Sequence, residues 1–73
     1  MNAAEKIQKL ISLIEGGKTV TFSTATRHTQ VNLKALNKFR AAGYDLFKSD
    51  AKSMYMMQGK NHVCIDYCKI TYA

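Results

Sequence analysis

The chain has 73 residues, a hydrophobic fraction of 47%, a net charge of +6, two cysteines and no proline. This length predicts one domain over residues 1–73, and the hydrophobic fraction is too high for a chain that is disordered throughout. The two cysteines form no C-x-x-C pair, and the charged N-terminal segment is neither a signal peptide nor a membrane span. We therefore expect a cytoplasmic protein with no membrane association.

The first half of the chain predicts a helix, a strand and a loop. Asn2 is a residue type that caps helices, and the apolar residues that follow recur at i, i+3, i+4 and i+7: Ile7, Leu10, Ile11 and Ile14. The glycine pair at 16–17 ends this helix. Residues 18–24 alternate between apolar and polar, which predicts a strand. Residues 25–30 are polar and show neither the helical nor the strand period, which predicts a loop.

The second half predicts a helix followed by three strands. Residues 31–42 carry an apolar stripe at helical spacing, formed by Leu33, Leu36 and Phe39, and Gly43 ends the helix. The runs 44–48, 53–58 and 62–72 read as strands, with a hairpin turn at 58–61. The order α-β-α-β-β-β predicts an α+β fold in which both helices pack on one face of a small, mainly antiparallel sheet.

The run HVCIDYC, residues 62–68, places four side chains of metal-ligand type at alternate positions: His62, Cys64, Asp66 and Cys68. On one straight strand His62 would lie about 20 Å from Cys68, too far for a shared zinc ion. The two cysteines would be about 13 Å apart, beyond the limit for a disulfide. No nucleophile, base and orienting group come together in this pattern. We therefore expect no catalytic residue, no metal and no cofactor, and interpret the run as packing.

The positive charge is concentrated in residues 18–43, which carry five lysines and arginines and no acidic residue. Such a segment is typical of a surface that binds an anionic partner. The loop 23–30 leads into a helix N-terminus, where free N–H groups favour phosphate. The predicted nucleic-acid contacts are Lys18, Thr26, Arg27, His28, Lys34, Lys38 and Arg40, with DNA and RNA both open. A capping loop followed by a solvated basic helix is the alternative interpretation.

The segment LKALNKFRAAGYDLF, residues 33–47, and the hairpin after it resemble the recognition helix and wing of winged-helix DNA-binding domains. The same half is similar to the helix and three-strand core of HicA-type RNA-cleaving toxins. That family has a histidine at the start of the second strand, where this chain has DAKSM at 50–54. The resemblance therefore does not imply ribonuclease activity.

The run Met54, Tyr55, Met56 and Met57 predicts a second kind of partner. Methionine adapts to partner surfaces, so a strand that is apolar on both faces is either central in the sheet or exposed as a protein interface. In the second case the chain is a small inhibitor or adaptor that docks on an acidic protein surface, comparable in size to viral proteins that inhibit host enzymes. Homodimerisation through this strand is also open.

Overall fold

The computed structural model describes residues 2–58 and 60–73 and contains two helices and six strands. The elements are α1 (Ala3–Glu15), β1 (Val20–Ser23), β2 (His28–Val31), α2 (Leu33–Ala41), β3 (Phe47–Ser49), β4 (Met54–Gln58), β5 (Asn61–Cys64) and β6 (Lys69–Tyr72). The predicted α+β class is confirmed. The strands form two antiparallel sheets, β2-β1-β6 and β3-β4-β5, where the sequence had predicted one.

Both helices begin at an asparagine whose side chain accepts a hydrogen bond from the backbone three residues later. Asn2 Oδ1 accepts from the N–H of Glu5 at 2.9 Å, and Asn32 Oδ1 accepts from the N–H of Ala35 at 3.0 Å. Each bond satisfies an N–H group that the helix leaves free. Helix α2 therefore begins two residues later than predicted, because Asn32 is its cap and Val31 belongs to β2.

Both helices end in the same glycine motif. Gly17 and Gly43 have φ values of 96° and 84°, in the left-handed region that favours glycine. The residue after each glycine donates back to the helix, Lys18 to the Leu13 carbonyl at 3.0 Å and Tyr44 to the Phe39 carbonyl at 2.9 Å. This pattern is the Schellman motif. The predicted glycine stops are confirmed.

The first sheet is centred on β1, which pairs with β2 on one side and β6 on the other. Val20 and Phe22 point into the core, and the intervening residues Thr21 and Ser23 point outward. The prediction of a loop over 25–30 was wrong, because residues 28–31 form β2. This strand lies at the sheet edge and only Val31 in it is buried, so it shows no apolar alternation.

The second sheet is centred on β4, between β3 and β5. Met54 and Met56 point into the core, and Tyr55 and Met57 lie half-buried on the outer face. The Met56 side chain faces Phe47 on β3, its register partner. The methionine run therefore belongs to a central strand.

The predicted strand over 62–72 is divided between the two sheets. β5 pairs with β4, β6 pairs with β1, and the chain turns between them, where the N–H of Cys68 donates to the Ile65 carbonyl at 3.2 Å. The distances estimated from His62 and from Cys64 to Cys68 assumed one straight strand, and that assumption is wrong. Tyr67 occupies the tip of the turn and is 94% exposed.

The core lies where α1 meets both sheets. Ile7, Leu10 and Ile14 are buried on one face of α1, which contacts β1, β3 and β4. The rings of Phe22 and Phe47 lie 5.9 Å apart and connect the two sheets. Helix α2 packs against α1, and its buried residue is Leu36. Within residues 2–58 and 60–73, neither helix is long and apolar enough to cross a membrane.

Candidate nucleic-acid interface

The seven predicted nucleic-acid contacts fall in different parts of the fold. Thr26 and Arg27 lie in the β1–β2 turn and His28 lies on β2, whereas Lys34, Lys38 and Arg40 lie on α2 and Lys18 lies before β1. Strand β2 separates Arg27 from Asn32 by about 16 Å, at roughly 3.3 Å per residue. The expected continuity between the turn and the helix N-terminus is therefore wrong, and Asn32 caps that terminus.

Arg27 and Thr26 line a cleft of about 310 Å³ between the two sheets. Its other residues are Phe22, Thr24, Thr29, Met56, Gln58, Val63, Cys64, Ile65 and Cys68. The cleft brings together the hydroxyl-rich turn and the HVCIDYC run, which are far apart in the sequence. Among the described residues, no three His, Cys, Asp or Glu side chains are placed to hold a metal ion.

His28 lies on the outer face of the first sheet, away from this cleft. Its Nδ1 and Ser23 Oγ share a hydrogen bond at 2.9 Å, across the β1–β2 pair. The turn is closed by the N–H of Thr24, which donates to the Arg27 carbonyl at 2.8 Å. Arg27 therefore lines the cleft, whereas His28 does not.

Arg40 forms an ion pair with Glu15 of α1 at 3.5 Å, and both side chains are about half exposed. The segment 18–43 has no acid of its own, but the fold brings one from α1 beside it. Glu15 therefore offsets part of the charge of Arg40, and the contact of Arg40 with nucleic acid stays a prediction. A count of charges along the chain does not show this ion pair, because Glu15 and Arg40 meet only in the folded structure.

A groove of about 720 Å³ lies between the end of α2 and the outer face of β4. We call it the α2 groove; it is lined by Lys38, Phe39, Ala42, Tyr44, Met57 and Lys60. The lining combines aromatic and aliphatic side chains with two lysines. None of these lining residues is acidic.

The Schellman motif at Gly43 positions the aromatic residues of the α2 groove. Phe39 supplies the carbonyl and Tyr44 the N–H of the closing hydrogen bond, so the chain reverses and returns Tyr44 beside Phe39. Tyr44 is 61% exposed, which leaves its ring accessible to a ligand. Met57 reaches the same groove from β4 because it lies on the outer face of that strand.

The basic surface of α2 continues into this groove. Lys34 and Lys38 are four residues apart, so they lie on the same side of the helix about 6 Å apart along its axis. Both are exposed. Lys60, in the turn after β4, adds a further positive charge to the lining. Lys38 and Lys60 therefore line the groove itself, and Lys34 lies one helical turn from Lys38.

Three of the five acidic side chains are engaged elsewhere in structural contacts. Glu15 pairs with Arg40. The N–H groups of Lys52 and Ser53 donate to Asp50 and lower its pKa, and the N–H of Met54 lowers the pKa of Asp66. The backbone N–H groups favour the ionised carboxylates of Asp50 and Asp66. None of the three lines the α2 groove.

The predicted protein interface on the methionine run is wrong for two of its four residues. Met54 and Met56 are 5% and 2% exposed, so they offer a partner little surface. Tyr55 and Met57 lie on the outer face, where Tyr55 Oη donates to Asp50 Oδ2 at 3.1 Å. Met57 is therefore the methionine of this strand that lines the α2 groove.

Tyr44, Lys60 and Phe39 were missed as site residues by the sequence reasoning. Phe39 was assigned to the helix core and Tyr44 to a strand, although strand β3 begins at Phe47. A signal for Tyr44 was present, because an aromatic residue directly after a helix-ending glycine packs back on the last turn in a Schellman motif. Lys60 carried no such signal, since its position depends on how β4 and α2 pack.

Comparison with protein-family models, curated proteins and solved structures finds no match for this chain. The similarity to winged-helix domains and to HicA-type toxins therefore rests on residues 33–47 and the hairpin alone.

Proposed function

We propose that the protein binds single-stranded nucleic acid in the α2 groove. Bases would stack on Tyr44 and contact Phe39 and Met57, while Lys34, Lys38 and Lys60 contact the phosphates. The observation that carries the proposal is a groove whose lining joins Phe39 and the exposed Tyr44 to two lysines, with no acidic side chain among the six lining residues. Stacking surfaces and cationic rims together are the common features of sites for single strands.

The exposed ring of Tyr44 favours a single strand over a duplex. A base can stack on this ring only if its face is free, and in a duplex both faces are covered by neighbouring bases. Stacking and phosphate contacts are common to DNA and RNA, so the proposal covers both. Arg27, Thr26 and His28 remain predicted contacts at a separate place on the surface.

We propose a binding module with no catalytic residue and no cofactor, acting in the cytoplasm.

A fluorescence anisotropy titration tests the proposal. A labelled single strand of about twelve nucleotides, comparable to the footprint of known single-strand modules, is compared with the same sequence as a duplex. We expect dissociation constants of about 10⁻⁶ M or below for the single strand at low salt, and weaker binding of the duplex. Failure to bind either DNA or RNA single strands at about 10 μM protein would overturn the proposal and favour the predicted acidic protein surface as the partner.

A further inference from the structure

Strand β6 has an unpaired edge. In the sheet order β2-β1-β6 it is the outermost strand, and among the described strands none pairs with its other side. An open edge presents N–H and C=O groups that can accept a further strand. The short strand contains no proline and no bulge that would block such pairing.

The hydrogen bonds between β1 and β6 show which groups face outward. Thr19 and Ala73 donate to each other's carbonyls at 3.0 and 3.1 Å, so they are a hydrogen-bonded pair of the antiparallel ladder. The pairs then alternate along the register, and Thr21–Thr71 is again hydrogen-bonded. The N–H and C=O groups of Ile70 and Tyr72 therefore point away from β1, toward the open edge.

A second groove, of about 210 Å³, follows this edge between β6 and α1. It is lined by Lys6, Lys9, Leu10, Leu13, Met54, Ile70 and Tyr72. Its apolar residues include the side chains of the same two β6 residues whose backbone groups face outward. The charged residues in the lining are two lysines from α1, and none of the lining residues is acidic.

We propose that this edge binds an extended acidic segment of another protein, which adds to the sheet as a strand antiparallel to β6. Residues of the segment opposite Ile70 and Tyr72 would be apolar and enter the groove, because directly opposed residues point to the same face. The intervening residues would be acidic and face Lys69, while Lys6 and Lys9 attract the segment as a whole. Main-chain hydrogen bonds between the segment and β6 would provide affinity. The alternation of apolar and acidic residues in the segment would provide specificity.

The charge of the chain favours this occupant over a second copy of the chain. Two β6 strands paired about a two-fold axis would bring Lys6, Lys9 and Lys69 of both copies to one interface. Each copy also carries a net charge of +6. Like charges placed together oppose association, whereas an acidic strand compensates them.

The first test uses a synthetic peptide of about nine residues that alternates valine and glutamate, a length that covers one strand. In the proposed pairing the valine N–H groups bond to β6 and the glutamate N–H groups face solvent. We expect N-methylation of two central valines to weaken binding by at least about tenfold, and N-methylation of two central glutamates to leave it unchanged. Equal binding of both N-methylated peptides in calorimetric titrations would overturn the proposal, and so would no binding of the parent peptide.

The second test compares Tyr72→Pro with Tyr72→Ala. Both variants lose the tyrosine ring, but only proline removes the N–H that faces the open edge, and neither change removes a bond to β1. We expect Tyr72→Pro to bind the parent peptide at least about tenfold more weakly than Tyr72→Ala. Equal affinities of the two variants for the parent peptide would overturn the proposal. Sedimentation velocity provides a further check: a dimer of the unliganded chain that the peptide does not dissociate would also overturn it. Tyr44→Ala in the α2 groove should leave peptide binding unchanged.

Discussion

The backbone N–H of Met54 donates to Asp66 Oδ1 at 3.0 Å, which connects the start of β4 to the turn after β5. After this turn the chain leaves the second sheet and continues into β6 of the first sheet. A neighbouring bond from the N–H of Ile65 to the Met54 carbonyl, also at 3.0 Å, closes the same junction. The junction separates HVC from KITY and so determines that the two runs join different sheets.

The Asp66 contact makes stability depend on pH. The hydrogen bond from Met54 favours the ionised carboxylate and lowers its pKa below the ordinary value of 3.8. A lowered folded-state pKa contributes stability that is present above pH 3.8 and is lost as the pH falls through the folded-state pKa. We expect Asp66→Asn to lower the melting temperature at pH 7. Between about pH 5 and about pH 2, the melting temperature of this variant should fall less than that of the wild type. Equal pH dependence of the two proteins by circular dichroism would contradict this assignment.

The two glycine caps provide a matched pair of variants. Gly43→Ala and Gly17→Ala each place a Cβ at positive φ, and no described atom beyond the adjacent residues lies within 4 Å of either new Cβ. We expect each to cost about 1–2 kcal/mol in the free energy of unfolding, because the left-handed region is unfavourable with a Cβ. Gly43→Ala should also weaken oligonucleotide binding, since it displaces Tyr44, whereas Gly17→Ala should not. Denaturant unfolding and anisotropy measure the two effects, and equal binding by both variants would contradict the role of the cap.

Substitutions of Met56 and Met57, adjacent residues on β4, should differ in their effects on stability and on oligonucleotide binding. Met56 is 2% exposed, and we expect Met56→Ala to cost about 2–5 kcal/mol, because the cavity adds to the lost burial. Met57 is half-buried and packs against the edge of the core, so Met57→Ala should cost less than Met56→Ala and should weaken oligonucleotide binding. Urea unfolding curves check the stabilities. A larger loss of stability for Met57→Ala would contradict the orientation of β4.

The salt dependence of binding distinguishes the lysines of the α2 groove from Arg40. For a single strand, each phosphate contact contributes about 0.7 to the slope of log affinity against log salt, so Lys34, Lys38 and Lys60 together predict a slope near −2. We expect Lys38→Ala to reduce the slope by about 0.7. Arg40→Ala should change it less, because Glu15 pairs with Arg40, and the control Lys52→Ala should leave it unchanged. A larger effect for Arg40→Ala would place the phosphates on the other side of α2.

Much of the fold could be predicted from local signals. Helix α1, strand β1, the glycine stops and the α+β class follow from periodicity and capping, which act over a few residues. Strand β2 was missed because its outer face is solvated, so three of its four residues show no apolar signal. The turn at 65–68 was missed because alternation continues through it, and its stabilising contact comes from Met54, twelve residues away in the sequence.

The candidate site could be predicted only in part, because it is built by packing. Lys34 and Lys38 were found from their spacing on one helix. Tyr44, Met57 and Lys60 come from three different segments that meet only when α2 packs beside β4. The Glu15–Arg40 pair also depends on that packing. Sequence patterns describe one element at a time, and these relationships involve two or more.

The affinity of Tyr44→Ala for a single-stranded oligonucleotide, compared with that of Tyr67→Ala, tests the central claim most directly. Both tyrosines are exposed, at 61% and 94%, but Tyr44 lines the α2 groove and Tyr67 lies at the tip of the 65–68 turn. Stacking of one base contributes about 1–3 kcal/mol, so we expect Tyr44→Ala to bind about 5- to 150-fold more weakly in anisotropy titrations and Tyr67→Ala to bind like the wild type. Equal affinities of the two variants, with both folded, would contradict a nucleic-acid site in this groove.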